Sequence, residues 1–413
     1  MHPALRAFRS RSFRIFYLGQ FISLLGSWMQ TIATAWLVYR LSGSAFLLGL
    51  TAFAQQFAYL FLAPIAGVVA DRANRRRVLI VVQTLALCLA VVLAVLMFSG
   101  AIQVWHIVAV SFALGVVNAF ETPMRQAIIL DLIADRGDLP NAIALQSTLM
   151  NTTRLVGPSL AGIVLAVAGE GWCFALNALS YAAIVLAYGA IDVRPATRAA
   201  ALKPWWRELI EGVRYAFGAR VSRRLLLLLA AAGFLTAPWQ TLLPIFAKEH
   251  FGGDSRTFGF LIGAVGAGAV AGTLYLASRP SVRGLGNIIS ASSLVAGVAL
   301  TGFAFCESFW QALVVLPVFG FGLIVTGASI NQILQSIADD DKRGRMVSIY
   351  VTVFVGVAPF GNLFAGWIAE SRGAHVALAA SGVAFALAAL WFIAGLSRWR
   401  EAARATYQKK GIL

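Results

Sequence analysis

The chain has 413 residues, of which 60% are hydrophobic and 12% charged, and its formal net charge is +16. Soluble domains carry about 25% charged residues, so this surplus of apolar side chains excludes an ordinary water-soluble globule. The basic residues lie in short gaps between apolar runs, which sets nucleic-acid binding aside and matches the excess of Lys and Arg in the cytoplasmic loops of membrane proteins.

A transmembrane helix needs about 20 mostly apolar residues. Val78 to Phe98 supplies one, broken only by Gln83 and Thr84. In lipid only helices and closed barrels satisfy their own backbone, and runs this long fit helices. Taken in chain order, the apolar runs predict twelve of them. Six lie at about 13–40, 44–70, 78–98, 102–130, 141–168 and 171–191. Six more lie at about 222–247, 256–278, 284–305, 308–336, 345–369 and 374–396. The expected fold is an all-α membrane protein with two six-helix bundles, 1–191 and 222–413. A polar connector, 192–221, joins them, and a short tail closes the chain. The first run is long enough to span, so no cleavable signal peptide is expected.

The termini and the even-to-odd connections hold 27 of the 33 Lys and Arg, which places both termini in the cytoplasm. Cys88, Cys173 and Cys306 sit in apolar contexts and are expected to be free thiols. His2, His106, His250 and His375 are scattered without metal-ligand spacing, so neither metal nor cofactor is expected. An internal repeat is also visible. Ile133–Leu145 aligns with Ile337–Ile349, and the same offset lays Gly157–Gly162 on Gly361–Gly366 and Gly169 on Gly373. Duplicated six-helix halves are a layout of transporters that alternate access to a central site.

The stretch "GVVADRANRRR" resembles the loop signature between the second and third helices of the major facilitator superfamily, with Gly67, Asp71, Arg72, Arg75, Arg76 and Arg77 matching. Asn74 stands where that signature has a second glycine, and Asn tolerates a left-handed turn. "GPSLAG" in helix five resembles the superfamily's antiporter signature. "ETPMRQAIILDLIADRGDLPNAIALQS" is similar to the branch that includes the enterobactin exporter and related drug and macrolide exporters. The resemblance implies that Asp71 faces the N-terminus of helix eleven near Arg345 and Met346, a favourable place for a carboxylate. With Gly67, Arg72 and an Arg75–Asp131 pair it would form a conformational latch. Charges that merely set topology are the alternative reading of this loop, and the preferred one for Arg76 and Arg77. Gly157, Pro158 and Gly162 in helix five and Gly259 and Gly263 in helix eight permit close helix packing, and the resemblance implies that these two helices touch, as a hinge or seal; ordinary tight packing would look the same.

Polar residues concentrate in helices one, four, seven and ten: Gln20, Ser27 and Thr31, which share one face; Asn118 and Thr122; Trp239 and Gln240; and Ser329 and Asn331. By resemblance they line a substrate cavity, suited to amphipathic organic molecules. Glu121, Arg125 and Arg154 lie deep in their helices, where charges are rare and functional by default. Glu121 is the candidate proton carrier, paired with Arg154 or Arg125 when ionised; a permanent structural pair would read identically in sequence.

No P-loop motif occurs, so the chain lacks that route to ATP. One proton at ordinary potentials supports roughly a hundredfold gradient. The expectation is therefore a monomeric, non-enzymatic, proton-coupled exporter of small amphipathic compounds, a siderophore or drugs, in the bacterial inner membrane. Its partners would be substrate, protons and lipid, and no nucleic acid. An importer or lipid flippase on the same scaffold, or a non-transporting receptor or assembly subunit, are the alternatives.

Overall fold

The computed structural model of the protein describes residues 3–133, 135–192, 214–279, 282–339 and 342–409. Among these there is helix and no strand. The long helices are α1 (Arg11–Ser42), α2 (Ala45–Arg72), α3 (Arg75–Phe98), α4 (Val104–Leu132), α5 (Leu139–Ala168) and α6 (Glu170–Ala190). They are followed by α7 (Arg220–His250), α8 (Ser255–Ala277), α9 (Leu285–Ala304), α10 (Phe309–Ile337), α11 (Arg343–Arg372) and α12 (Ala374–Ala394). A thirteenth, α13, covers Leu396–Lys409.

Among the described residues, eleven helices are long and apolar enough to cross a bilayer. The exception among α1–α12 is α5, which at 30 residues has ample length but carries Gln146, Asn151, Arg154 and several threonines. Exposed tryptophans mark helix ends: Trp105, Trp172 and Trp310 open α4, α6 and α10, and Trp367 lies near the end of α11. Such amphipathic rings favour the membrane–water interface.

Local chemistry sets the helix ends. Ser10 and Ser44 cap α1 and α2 by accepting from the Phe13 and Leu47 amides at 3.3 and 3.2 Å. Ser308 and Gln311 form a reciprocal capping box on α10. Asn74 departs from the expected left-handed turn. Its φ is −70° and its side chain accepts from the Arg77 amide at 3.1 Å, so it is the N-cap of α3. Asn serves both roles, and here the two orphan ends of adjoining helices select the cap. This also starts α3 at Arg75, three residues before the apolar run. In α7, Pro238 has no amide hydrogen to donate, and the helix is interrupted at Ala237 before closing in a π turn at Phe246–His250.

The chain groups into two compact units. One is built from Met1–Leu47, Ala54–Leu202 and Gly253–Gly263, the other from Leu48–Phe53, Lys203–Gly252 and Ala264–Leu413. Within the first, α1 packs on α5 and α6, and α3 packs on α4 and α6. Within the second, α7 packs on α11 and α12, and α9 packs on α10 and α12. The pairing pattern is the same, as the internal repeat leads one to expect. The repeated Gly169 and Gly373 both have left-handed φ, 84° and 93°, at the equivalent α5–α6 and α11–α12 joints.

The tail is not merely a short basic extension. Helix α13 docks on the second unit through buried Trp399, Ala403 and Tyr407, and the Trp399 Nε1 donates to the Val221 carbonyl at 3.1 Å. Burial pushes the Tyr407 phenol above its ordinary value, and a hydrogen bond with Ser336 offsets part of that.

Gly373→Ala should destabilise the protein, since a left-handed L-residue costs about 1–2 kcal/mol. Gly302 lies in α9 with open space where its side chain would be, so Gly302→Ala should be neutral or stabilising by up to about 1 kcal/mol. Thermal unfolding of the purified variants in detergent measures both.

Candidate functional site

Glu121 and Arg125 stand one turn apart on α4, so their side chains meet along one face. Arg125 Nε lies 2.7 Å from Glu121 Oε1, and both side chains are about nine-tenths buried, at 9% and 11% exposure. Arg125 also reaches the Met150 sulfur on α5 at 3.8 Å. The phenols of Tyr59, Tyr181 and Tyr188 lie within electrostatic reach of Glu121. The structure thus selects Arg125, not Arg154, as the cation paired with Glu121. Arg154 is exposed on α5 and has no ion-pair or hydrogen-bond partner among the described residues.

In the α2–α3 turn, Arg75 Nη1 binds Asp131 Oδ2 at 2.9 Å and the Ala127 carbonyl at 3.4 Å, fixing the end of α4 to the start of α3. Arg76 does more than mark a side of the membrane. Its guanidinium donates to the Tyr188 and Gly189 carbonyls, closing the C-terminus of α6 where a cation is favoured. The side-chain positions of Gly67, Asp71 and Arg72 lie outside the described residues.

Helix α5 and the start of α8 belong to one unit and touch closely. A methyl group on Gly162 would meet the Ser255 carbonyl oxygen at 2.6 Å, and one on Gly259 would meet the Pro158 carbonyl oxygen at the same distance. Gly263 lies against Ser159. Gly157 does not share this contact; it accommodates the Trp28 ring of α1. The equivalent crossing in the second unit sets Gly49 of α2 against Gly366 and the Asn362 carbonyl of α11.

The polar cavity candidates divide in two. Gln20 and Ser329 are buried, each with an oxygen that has no hydrogen-bond partner among the described residues. Ser27, Asn118, Thr122, Trp239, Gln240 and Asn331 are half-buried, and Thr31 is exposed. Ser27 and Thr31 return their hydroxyls to the Ser23 and Ser27 carbonyls at 2.8 Å, and Asn331 accepts from Gln335 at 3.1 Å. Trp239 meets the Phe319 ring edge-on at 5.8 Å. In the sequence, the tyrosines around Glu121 are marked only by Tyr59, which stands with Phe53 and Phe57 as a candidate aromatic wall in helix two, and by the heptad spacing of Tyr181 and Tyr188 on α6.

Residues 3–409 match the transmembrane secretion effector family. The chain belongs to that family, a branch of the major facilitator superfamily. This transporter is 28% identical to the staphyloferrin A transporter of Staphylococcus aureus, over 87% of this chain and 90% of that one. It is 25% identical to the multidrug efflux pump Tap of Mycolicibacterium fortuitum, over 85% and 87% of the two chains. It is 22% identical to macrolide efflux protein A of Streptococcus pyogenes, over 88% and 90%. Among solved structures it resembles the nucleoside transporter NupG, with a TM-score of 0.75 at 14% identity over 93% and 98% of the chains. It also resembles an inward-facing bacterial homologue of the lysosomal transporter Spinster, with a TM-score of 0.72 at 14% identity over 99% of both chains. The protein is a multi-pass membrane transporter with the major facilitator fold, and not an enzyme.

Arg125→Met leaves the Glu121 carboxylate buried without its cation, which should cost about 3–5 kcal/mol. The double variant Glu121→Gln, Arg125→Met should regain most of that loss. Unfolding midpoints at neutral pH test this, and equal destabilisation by single and double variants would show that the pair itself matters little.

Proposed function

We propose that this transporter exports small amphipathic organic compounds, of the siderophore or drug kind, by proton-coupled alternating access. The observation that carries the reading is the buried Glu121–Arg125 pair, because Glu121 is the one carboxylate of α1–α12 that stands far from any helix end. An ionised carboxylate beside its arginine is stable; deprived of the cation in a site of low dielectric, a carboxylate takes up a proton. A conformational change that moves Arg125 away therefore loads a proton, and its return releases one. Tyr59 and Thr122 beside the pair supply polar groups along which that proton can pass.

Relatives named for staphyloferrin A transport, multidrug efflux and macrolide efflux support the direction and the kind of cargo. In this reading α5 also crosses the bilayer, giving twelve spans in two bundles, 1–191 and 222–413, joined by the connector 192–221. The Lys and Arg distribution holds both termini in the cytoplasm. The protein works as a monomer. Gly67, Asp71, Arg72 and the Arg75–Asp131 pair act as the conformational latch, Gly157, Pro158, Gly162, Gly259 and Gly263 as hinge and seal, and Ser27, Thr31, Asn118, Thr122, Trp239, Gln240 and Asn331 contribute to substrate contact.

In proteoliposomes with an imposed pH gradient, the wild type should concentrate members of a panel of siderophores, macrolides and amphipathic dyes. Glu121→Gln should abolish accumulation driven by the gradient while leaving downhill flux in place. Undiminished proton-driven accumulation by that variant would refute the coupling role.

A further inference from the structure

Among the charged side chains of α1–α12, only Glu121, Arg125 and Arg154 stand away from the helix ends. The first two neutralise each other at 2.7 Å. One positive charge, that of Arg154 in the middle of α5, is left without compensation among the described residues. A guanidinium cannot shed its proton to escape an apolar medium. It therefore needs water, a counter-ion or both.

The helix geometry shows which way Arg154 points. Apart from Ile143 near its start, the exposed large apolar residues of α5 are Val156, Leu160, Ile163 and Val167, a stripe suited to lipid. At 3.6 residues per turn, Arg154 stands about 120–180° around the axis from each of them. Its own face instead carries Pro158 and Ala161, both buried one and two turns further on, at the level where α5 meets Gly259 of α8. Where that contact ends, Arg154 emerges exposed. Asn151 and Ser147 precede it on the same face at spacings of three and four residues. Neither has a hydrogen-bond partner among the described residues, and Ser147 is exposed. The result is a ladder of unused donors with a fixed cation at its head, turned away from lipid.

We propose that Arg154, with Asn151 and Ser147, binds a carboxylate of the transported molecule, so that this exporter selects organic anions over cations. The inference rests on the transport reading above and names the substrate class for it. The planar fork of Arg matches the two oxygens of a carboxylate, which makes the bond bidentate and directional. The unbalanced charge repels a cationic competitor of the same shape, so selectivity has a repulsive element as well as an attractive one.

Two xanthene dyes of opposite charge, carboxyfluorescein and rhodamine 6G, test this on the full chain in phosphatidylcholine nanodiscs, with binding read by fluorescence polarisation. Wild type should bind carboxyfluorescein at least about tenfold more tightly than rhodamine 6G, and citrate, not choline, should compete. Arg154→Gln should lose about 10–100-fold in carboxyfluorescein affinity, the worth of a charge-assisted bidentate bond, and Arg154→Lys should retain part of it. Equal or stronger binding of rhodamine 6G, no binding of carboxyfluorescein, or an unchanged affinity in Arg154→Gln would each overturn the proposal. If Arg154→Gln does not fold, the charge preference and the citrate competition of the wild type still decide. Arg154-dependent binding without movement of carboxyfluorescein in liposomes would refute the transport reading and leave the anion site standing.

Discussion

A charge placed within a bilayer must be matched inside the protein, and this requirement governs the structure more than any other. Helix α4 meets it with Glu121 and Arg125, an acid and a base one turn apart at 2.7 Å. Their spacing of one turn lets the two side chains meet without any rearrangement of α4, and the pair opens when the Arg125 side chain swings away from the carboxylate. Its surroundings are not local: Tyr59 comes from α2, Tyr181 and Tyr188 from α6, and Met150 from α5. Four helices of one unit therefore converge on a single ion pair. A buried pair contributes little net stability over an apolar substitute, and losing one member is expensive. A site of that kind suits a device that changes state better than one that only holds a fold together.

Arginines at the helix ends obey the same rule, in places where charge is easier to keep. Arg75 ties α3 to Asp131 of α4, and Arg76 closes the carbonyl end of α6. In the second unit Arg224 does for α12 what Arg76 does for α6, donating to the Trp391 carbonyl at 2.6 Å and lying over the Trp391 ring at 4.6 Å. The basic loops that orient the chain in a membrane are thus also its helix caps. Between them, small residues let helices approach closely, as Gly162 and Gly259 do across α5 and α8, where the Ser255 hydroxyl also donates to the Gly162 carbonyl at 3.3 Å.

The helices were largely legible in the sequence because run length and charge distribution are one-dimensional properties that the bilayer reads directly. The Arg75–Asp131 and Glu121–Arg125 pairs could be anticipated, the first from the family's loop pattern and the second from a spacing of four. What failed to show depended on packing. Asn74 satisfies a turn and a cap with the same side chain, and only the start of α3 at Arg75 decides between them. Gly157 and Gly162 look alike in "GPSLAG", yet one receives Trp28 and the other α8, because five residues rotate the helix by more than a turn. Helix α13 was hidden by its shortness and charge, and Trp399, Ala403 and Tyr407, four residues apart, mark its docked face. The isolation of Arg154 was likewise invisible, since a sequence lists possible partners and not distances.

The central claim is that the Glu121 carboxyl changes protonation as the transporter works. Infrared difference spectroscopy of the protein in lipid, comparing wild type with Glu121→Gln before and after substrate addition, observes that carboxyl directly. The account predicts a protonated-carboxyl band that appears or vanishes with substrate in the wild type and is missing from the variant. A Glu121 signal that stays ionised through substrate binding and release would contradict it.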